Sequence, residues 1–269
     1  MSEAPKRVTL REIARKKREG EKLVVVTAYD VLFARVVDAA GVDIVLVGDS
    51  VGNVVAGFDS TLPVKLDQMI YHGAAVRRGI KHALLVVDMP FLSYQASVER
   101  AILNSGRVLQ ETLADAVKVE GGSSEMVNTV SALTRTGIPV MAHLGFTPQS
   151  IRTLGMRIQG REHGDADRLV EEAKALEAAG AFSIVLELLP ADVAERITSA
   201  VTIPTIGIGA GPHCDGQVLV LPDLLGLNDG FAPKFLKKYA NIAATAREAV
   251  SKYADEVRSG EYPDPDHSN

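Results

Sequence analysis

Apolar and polar positions along this chain come in blocks. Eight short runs are apolar almost throughout: Leu23–Thr27, Asp43–Val47, Ala83–Asp88, Ala116–Glu120, Ile138–His143, Phe182–Leu188, Pro204–Ile208 and Gln217–Leu221. They are rich in β-branched residues and show little alternation, which predicts strands buried on both faces, as in a parallel sheet. Helical patterns lie between most of them, opened by a capping side chain or closed by glycine. Asp30 caps Val31–Ala40, Asp67–Arg78 stops at Gly79, and Ser97 opens a helix that reaches Thr112. Ser124–Thr136 stops at Gly137, Asp165–Ala179 stops at Gly180, and Ala191–Ala200 is short. Ahead of the first strand, Thr9-Leu10-Arg11-Glu12 has the form of a capping box and starts a helix over Leu10–Glu19. Its basic run, Arg15 to Arg18, predicts a solvated face. Beyond the last strand, Phe235–Tyr239 and Asn241–Arg258 read as helices, and 260–269 as a loose polar tail.

Strand and helix alternating about eight times, with no break in composition, predict one parallel (β/α)8 barrel. It would occupy 1–269 as a single domain, with a flexible stretch at 1–8, an extra N-terminal helix and C-terminal helices. An open doubly wound sheet is the main rival. Gly207-x-Gly209-x-Gly211 does not support that rival, because it departs from G-x-G-x-x-G and comes late. It reads as a loop where backbone approaches a neighbour or a ligand closely. Two connections are long: Val51 to Leu66 after the second strand, and Leu144 to Gly164 after the fifth. Connections of that length usually serve as lids or binding loops.

Composition narrows the function. The 269 residues are 46% hydrophobic and 23% charged, as in an ordinary globular protein, and the length suits one α/β barrel. A net charge of -5 argues against nucleic acid as the main partner. A single cysteine, Cys214, excludes an intrachain disulfide framework and fits a reducing compartment. No apolar run reaches the roughly 18 residues of a membrane span, and Met1 to Arg7 lacks the apolar segment of a signal peptide. The expectation is a cytoplasmic protein without a membrane partner.

The candidate chemistry lies at the strand ends, which converge on one pocket in a barrel. Asp49, Asp88 and Glu120 close strands two, three and four, and Ser50 follows Asp49. Three converging carboxylates repel one another and take up protons unless a cation neutralises them. Oxygen ligands without cysteine suggest Mg²⁺ or a similar ion, which usually takes one or two carboxylates directly and keeps water or substrate elsewhere. Helix capping or pairing with lysine is the competing explanation for each acid alone. Lys118 stands two residues before Glu120 and so points to the same side. It would hold an anionic substrate against a metal, or form a structural ion pair. His143 ends strand five, either as a satisfied core residue or as part of the pocket. Glu187 interrupts Ile184-Val185-Leu186-Glu187-Leu188-Leu189, and a carboxylate enclosed by apolar neighbours suits a general base. No G-x-S-x-G elbow or P-loop is present. The implied chemistry is metal-assisted: a cation polarises an oxygen while a base removes a proton from the adjacent carbon.

Several motifs, taken together and in order, resemble a known family. They are Val47-Gly48-Asp49-Ser50, Asp59-Ser60-Thr61-Leu62-Pro63-Val64, Tyr71-His72 with Ala74 to Gly79, and Lys118-Val119-Glu120-Gly121-Gly122. His143-Leu144-Gly145 with Thr147-Pro148-Gln149-Ser150, and Gly207 to Gly211 with Asp215-Gly216-Gln217, complete the set. The chain is identified on these as similar to the ketopantoate hydroxymethyltransferases of the pantothenate pathway, from about Thr9 to Ser268. The resemblance implies a (β/α)8 barrel assembled as a homo-oligomer, a pentamer or decamer. It implies transfer of a one-carbon unit from 5,10-methylenetetrahydrofolate to 3-methyl-2-oxobutanoate, giving 2-dehydropantoate. It implies Mg²⁺ at Asp49, Asp88 and Glu120, the last through water. Keto-acid contacts fall on Asp49, Ser50, Asp88 and Lys118, His143 lines the pocket, and Glu187 is the catalytic base.

Two other readings remain. A Mg²⁺-dependent C–C or C–P bond enzyme of the isocitrate lyase and phosphoenolpyruvate mutase type uses similar barrels, but with a catalytic cysteine in a mobile loop. Cys214 follows strand seven, which tells against it. A non-enzymatic scaffold would have no need of clustered buried charge.

Overall fold

The structure is a computed structural model, and it describes residues 7–155, 157–162 and 164–268. The chain forms two compact units, Met1–Val220 and Leu221–Asn269. In the first, eight parallel strands close in sequence order into a barrel, the (β/α)8 or TIM fold that the pattern predicts. They are β1 Leu23–Thr27, β2 Ile44–Val47, β3 Leu84–Asp88, β4 Ala116–Glu120, β5 Val140–Gly145, β6 Ser183–Glu187, β7 Thr205–Ile208 and β8 Gly216–Leu219. The helices of this unit are α1 Leu10–Glu19, α2 Val31–Ala39, α3 Val51–Val54, α4 Leu66–Arg77, α5 Val98–Thr112, α6 Ser124–Arg135, α7 Ile151–Leu154, α8 Asp165–Ala178 and α9 Ala191–Ala200. Boundaries shift from the sequence reading by one or two residues at most ends.

Alternate strand residues fill the barrel. Leu23, Val25, Ile44, Leu46, Leu84, Val86, Ala116, Met141, Val185, Ile206 and Val218 form one cluster. The same alternation carried one step further points Asp88, Lys118, Glu120, His143 and Glu187 into the barrel at its carboxyl end, in register across β3 to β6.

The amino end is closed by α1. Ile13, with no exposed surface, enters the barrel cluster, and Val8 and Leu10 pack against it. The basic run is not the solvated face expected of it. Lys16 Nζ donates to Asp43 Oδ1 at 2.6 Å and Lys17 Nζ to Asp215 Oδ2 at 2.8 Å, while Arg15 pairs with Glu12, Glu19 and Glu21. Asp43 and Asp215 also accept from the backbone of Val24 and Thr205, so each acid ties a strand start to α1. Of the stretch expected to be flexible, 1–6 lies outside the described residues. Arg7 pairs with Asp115 at 2.6 Å and Val8 N–H donates to the His82 carbonyl.

The second unit holds α10 Leu221–Leu224 and α11 Ile242–Ser259. The helix expected over Phe235–Tyr239 does not form. Leu236 closes a single turn on Pro233, and Tyr239 N–H donates to the Leu224 carbonyl instead of to its own turn. Five residues cannot offset the cost of helix nucleation when such an outside partner exists. The terminal segment carries a short 3-10 turn, Pro265–His267, with Asp264 capping His267 and the Tyr262 ring set edge-on against Tyr253.

Candidate active site

Tight backbone geometry at the carboxyl ends brings the polar residues together. A Cβ on Gly48 would lie 2.7 Å from Ser50 Oγ and 3.6 Å from Asp88 Oδ2, so a larger residue there would push the Ser50 hydroxyl aside where the Asp49–Ser50 end of β2 meets β3. Gly145, at φ +94°, leaves no room for a Cβ, which would lie 2.2 Å from the Glu187 carbonyl.

Asp49, Asp88, Lys118, Glu120 and His143 are all buried and meet in one cluster. Asp49 N–H donates to Asp88 Oδ2 at 3.0 Å. Lys118 Nζ lies 3.2 Å from Asp88 Oδ1 and 3.9 Å from Glu120 Oε1. His143 joins the cluster to β6: Nδ1 is 3.5 Å from Glu120 Oε1, and Nε2 is 3.3 Å from Glu187 Oε2. Glu187 is not the enclosed carboxylate that its apolar neighbours in sequence suggest. Leu186 beside it points outward while Val185 fills the barrel below, and the Glu187 side chain, 19% exposed, faces His143 at the barrel mouth. Ser50 belongs to the edge of the site, where its hydroxyl meets Tyr29 Oη at 2.8 Å.

Burial and like charge push the Asp49 carboxyl up to about 7, with Glu120 and Asp88 both contributing after desolvation. Burial also raises Asp88, against the pull of Lys118. Burial would raise Glu120 as well, but His143, Lys118 and the Gln149 N–H together hold it below the ordinary carboxylate range. Burial alone would lower Lys118. Asp88, Glu120 and Asp49 outweigh that and keep it an ammonium. For His143, burial and Lys118 act downward, while Glu120 and Glu187 raise it to about 9. The ring has two exclusive arrangements. As an imidazolium it lies between two carboxylates; as a neutral ring it accepts from Lys118 Nζ, 3.2 Å from Nδ1. The two flanking carboxylates favour the first.

The donor set suits a hard divalent cation. Asp88 Oδ1 and Glu120 Oε1 are buried without a hydrogen bond, although Lys118 Nζ lies 3.2 Å from the first and His143 Nδ1 3.5 Å from the second. Among the described residues, no three His, Cys, Asp or Glu side chains are spaced as a complete metal cage. One or two of its carboxylates could serve as direct ligands, with water or substrate completing the set, as is usual for Mg²⁺.

The sequence reading missed three participants. Gln149 Nε2 donates to Asp49 Oδ2, and its backbone N–H donates to Glu120 Oε2. Tyr94 Oη donates to Gln149 Oε1 and accepts from Glu120 N–H. Tyr29 holds Ser50. Gln149 stood inside a quoted motif without a role; the two tyrosines gave no signal. Cys214 is buried at the opposite, amino end, where Lys22 Nζ donates to its carbonyl. Gly207 packs against it: a Cβ there would lie 3.0 Å from Cys214 Sγ.

Solved structures share the barrel at low identity. Phosphonopyruvate hydrolase superposes with a TM-score of 0.62 at 14% identity, covering 96% of this chain and 90% of that one. A 2,3-dimethylmalate lyase of the PEP mutase/isocitrate lyase superfamily gives 0.59 at 15%, covering 96% and 92%. The rival lyase reading is thus a relation of fold. Sequence relatives are far closer. The 3-methyl-2-oxobutanoate hydroxymethyltransferase of Moorella thermoacetica is 54% identical over 97% of both chains. That of Pelobacter propionicus is 53% identical over 100% of this chain and 99% of its own. The ketopantoate hydroxymethyltransferase family model matches residues 7–265. With the family match and these relatives both running nearly end to end, the chain belongs to the ketopantoate hydroxymethyltransferase family and is an enzyme of that class.

Proposed function

We propose that this enzyme moves a one-carbon unit from 5,10-methylenetetrahydrofolate to C3 of 3-methyl-2-oxobutanoate through a substrate enolate, with water supplying the hydroxyl oxygen and tetrahydrofolate released, giving 2-dehydropantoate. One observation carries the reading: three buried carboxylates and an ammonium meet at the barrel mouth, with Glu187 reached through His143 at 3.3 Å. Asp49 and Asp88 would hold Mg²⁺ directly and Glu120 through water. The ion, when bound, supplies Lewis acidity that makes the C3 proton easier to remove.

The chain's own residues do the rest. Glu187 Oε2 accepts the C3 proton, and its partly exposed place at the mouth leaves it open to substrate. His143 Nε2 orients that carboxylate. Lys118 remains charged and offsets the negative charge of the keto acid and its enolate. Ser50, steadied by Tyr29, contacts the substrate carboxylate. The long connections after β2 and β5 would shield the enolate from bulk water. The single cysteine agrees with a cytoplasmic enzyme. A homo-oligomer, pentamer or decamer, agrees with α11, which buries no residue and exposes Val250, Tyr253 and Val257. No helix among the described residues is long and apolar enough to cross a membrane.

The test is direct. Purified protein is incubated with the keto acid, the folate donor and Mg²⁺, and products are identified by mass. The expected product is 2-dehydropantoate, formed only with all three present; its absence under those conditions would sink the assignment.

A further inference from the structure

Three carboxylates of like charge do not keep a shared orientation unaided, and beside the charged Lys118 and His143 a neutral group bonds two of them. Gln149, buried at the first turn of the long β5 connection, uses every hydrogen-bonding position of its amide. Its Oε1 accepts from Tyr94 Oη at 2.8 Å and from Gln95 Nε2 at 2.9 Å. Its Nε2 donates to Asp49 Oδ2 and to the Met89 carbonyl, both at 2.9 Å. The Met89 carbonyl only accepts, and Tyr94 Oη, which accepts from Glu120 N–H, donates to Oε1, so the amide can face one way only. The backbone N–H of the same residue donates to Glu120 Oε2 at 3.0 Å. One residue therefore anchors one oxygen on each of two acids that are distant in sequence. Glu120 Oε1 is left without a hydrogen bond, and Asp88 Oδ1, whose partner oxygen accepts from Asp49 N–H, is left likewise.

We propose that Gln149, oriented by Tyr94, is a positioning residue that fixes Asp49 and Glu120 through one oxygen each and leaves their other oxygens to a divalent cation. The inference rests on reading Asp49, Asp88 and Glu120 as the seat of that cation.

Mn²⁺ alone, titrated into the full chain and followed as free ion by electron paramagnetic resonance, tests this without turnover. Gln149→Met keeps length and volume but donates nothing to Asp49. It should weaken Mn²⁺ binding about 10- to 100-fold, the usual effect of losing a group that orients a metal ligand, with an unchanged far-ultraviolet spectrum. Tyr94→Phe removes only the hydroxyl and should weaken binding several-fold. Asp49→Asn serves as the reference for the seat itself. If Asp49→Asn loses Mn²⁺ while Gln149→Met stays within twofold of the wild type, the positioning role is overturned and the cation seat stands. If Asp49→Asn binds Mn²⁺ as the wild type does, the seat is refuted and this inference with it. Should Gln149→Met fail to fold, Tyr94→Phe at wild-type affinity overturns the proposal by itself.

Discussion

Asn in place of Asp49 should make the ion-free protein more stable at alkaline pH. The Asp49 carboxyl sits at about 7 in the folded chain, against an ordinary value of 3.8, because it is buried beside Glu120 and Asp88. Between those values the folded state holds a proton that the unfolded chain has released. Stability therefore falls as pH rises through the window and stays reduced above it. The span, 7 − 3.8, is about three pH units, and at about 1.4 kcal/mol per unit the ionised group costs up to about 4 kcal/mol near pH 8. Asn has the same shape, and its carbonyl can still accept from Gln149 Nε2, but it carries no charge. Urea unfolding in EDTA should thus show Asp49→Asn gaining little over the wild type at pH 4.5 and on the order of 2–4 kcal/mol at pH 8. Added Mg²⁺ should close the gap by stabilising the wild type and leaving the variant unmoved. A variant no more stable than the wild type at pH 8, or a difference that does not grow with pH, would refute the electrostatic reasoning.

Two further substitutions test how the fold holds the site. Ile13→Ala empties the plug at the amino end of the barrel, where the side chain has no exposed surface. It should lower unfolding stability by about 2–5 kcal/mol by denaturant titration, with activity per folded molecule retained, since the site is at the other end. Gly145→Ala combines a φ of +94° with a Cβ 2.2 Å from the Glu187 carbonyl. It should cost about 3 kcal/mol and displace Glu187, so turnover should fall more than substrate affinity, read as a drop in kcat at similar KM.

The barrel could be read from the chain because each strand is buried on both faces, which leaves apolar runs such as Leu84–Val87 without a polar interruption. The site could be read for the same reason in reverse: Asp88, Glu120 and Glu187 are the polar residues that end such runs. What stayed hidden depended on distant partners. Lys16 and Lys17 look like a solvated run until Asp43 and Asp215, 27 and 198 residues away, close on them. Gln149 reaches acids 100 and 29 residues away, and a loop amide leaves no periodic trace of doing so. Glu187 ends β6 at the barrel mouth, but it is less enclosed than its apolar run suggests, because Leu186 beside it points to the opposite face. Phe235–Tyr239 has helical residues but spends its backbone donor on Leu224.

The central step of the proposed reaction is removal of the C3 proton by Glu187 at a site made competent by the carboxylate cluster. Exchange of that proton in deuterated water, followed by nuclear magnetic resonance on 3-methyl-2-oxobutanoate without folate, reads this step alone. The wild type should exchange only with a divalent ion present, and Glu187→Gln should slow exchange by about 10²- to 10⁴-fold while still binding Mn²⁺. Exchange by Glu187→Gln within a few-fold of the wild type, or wild-type exchange indifferent to EDTA, would contradict it.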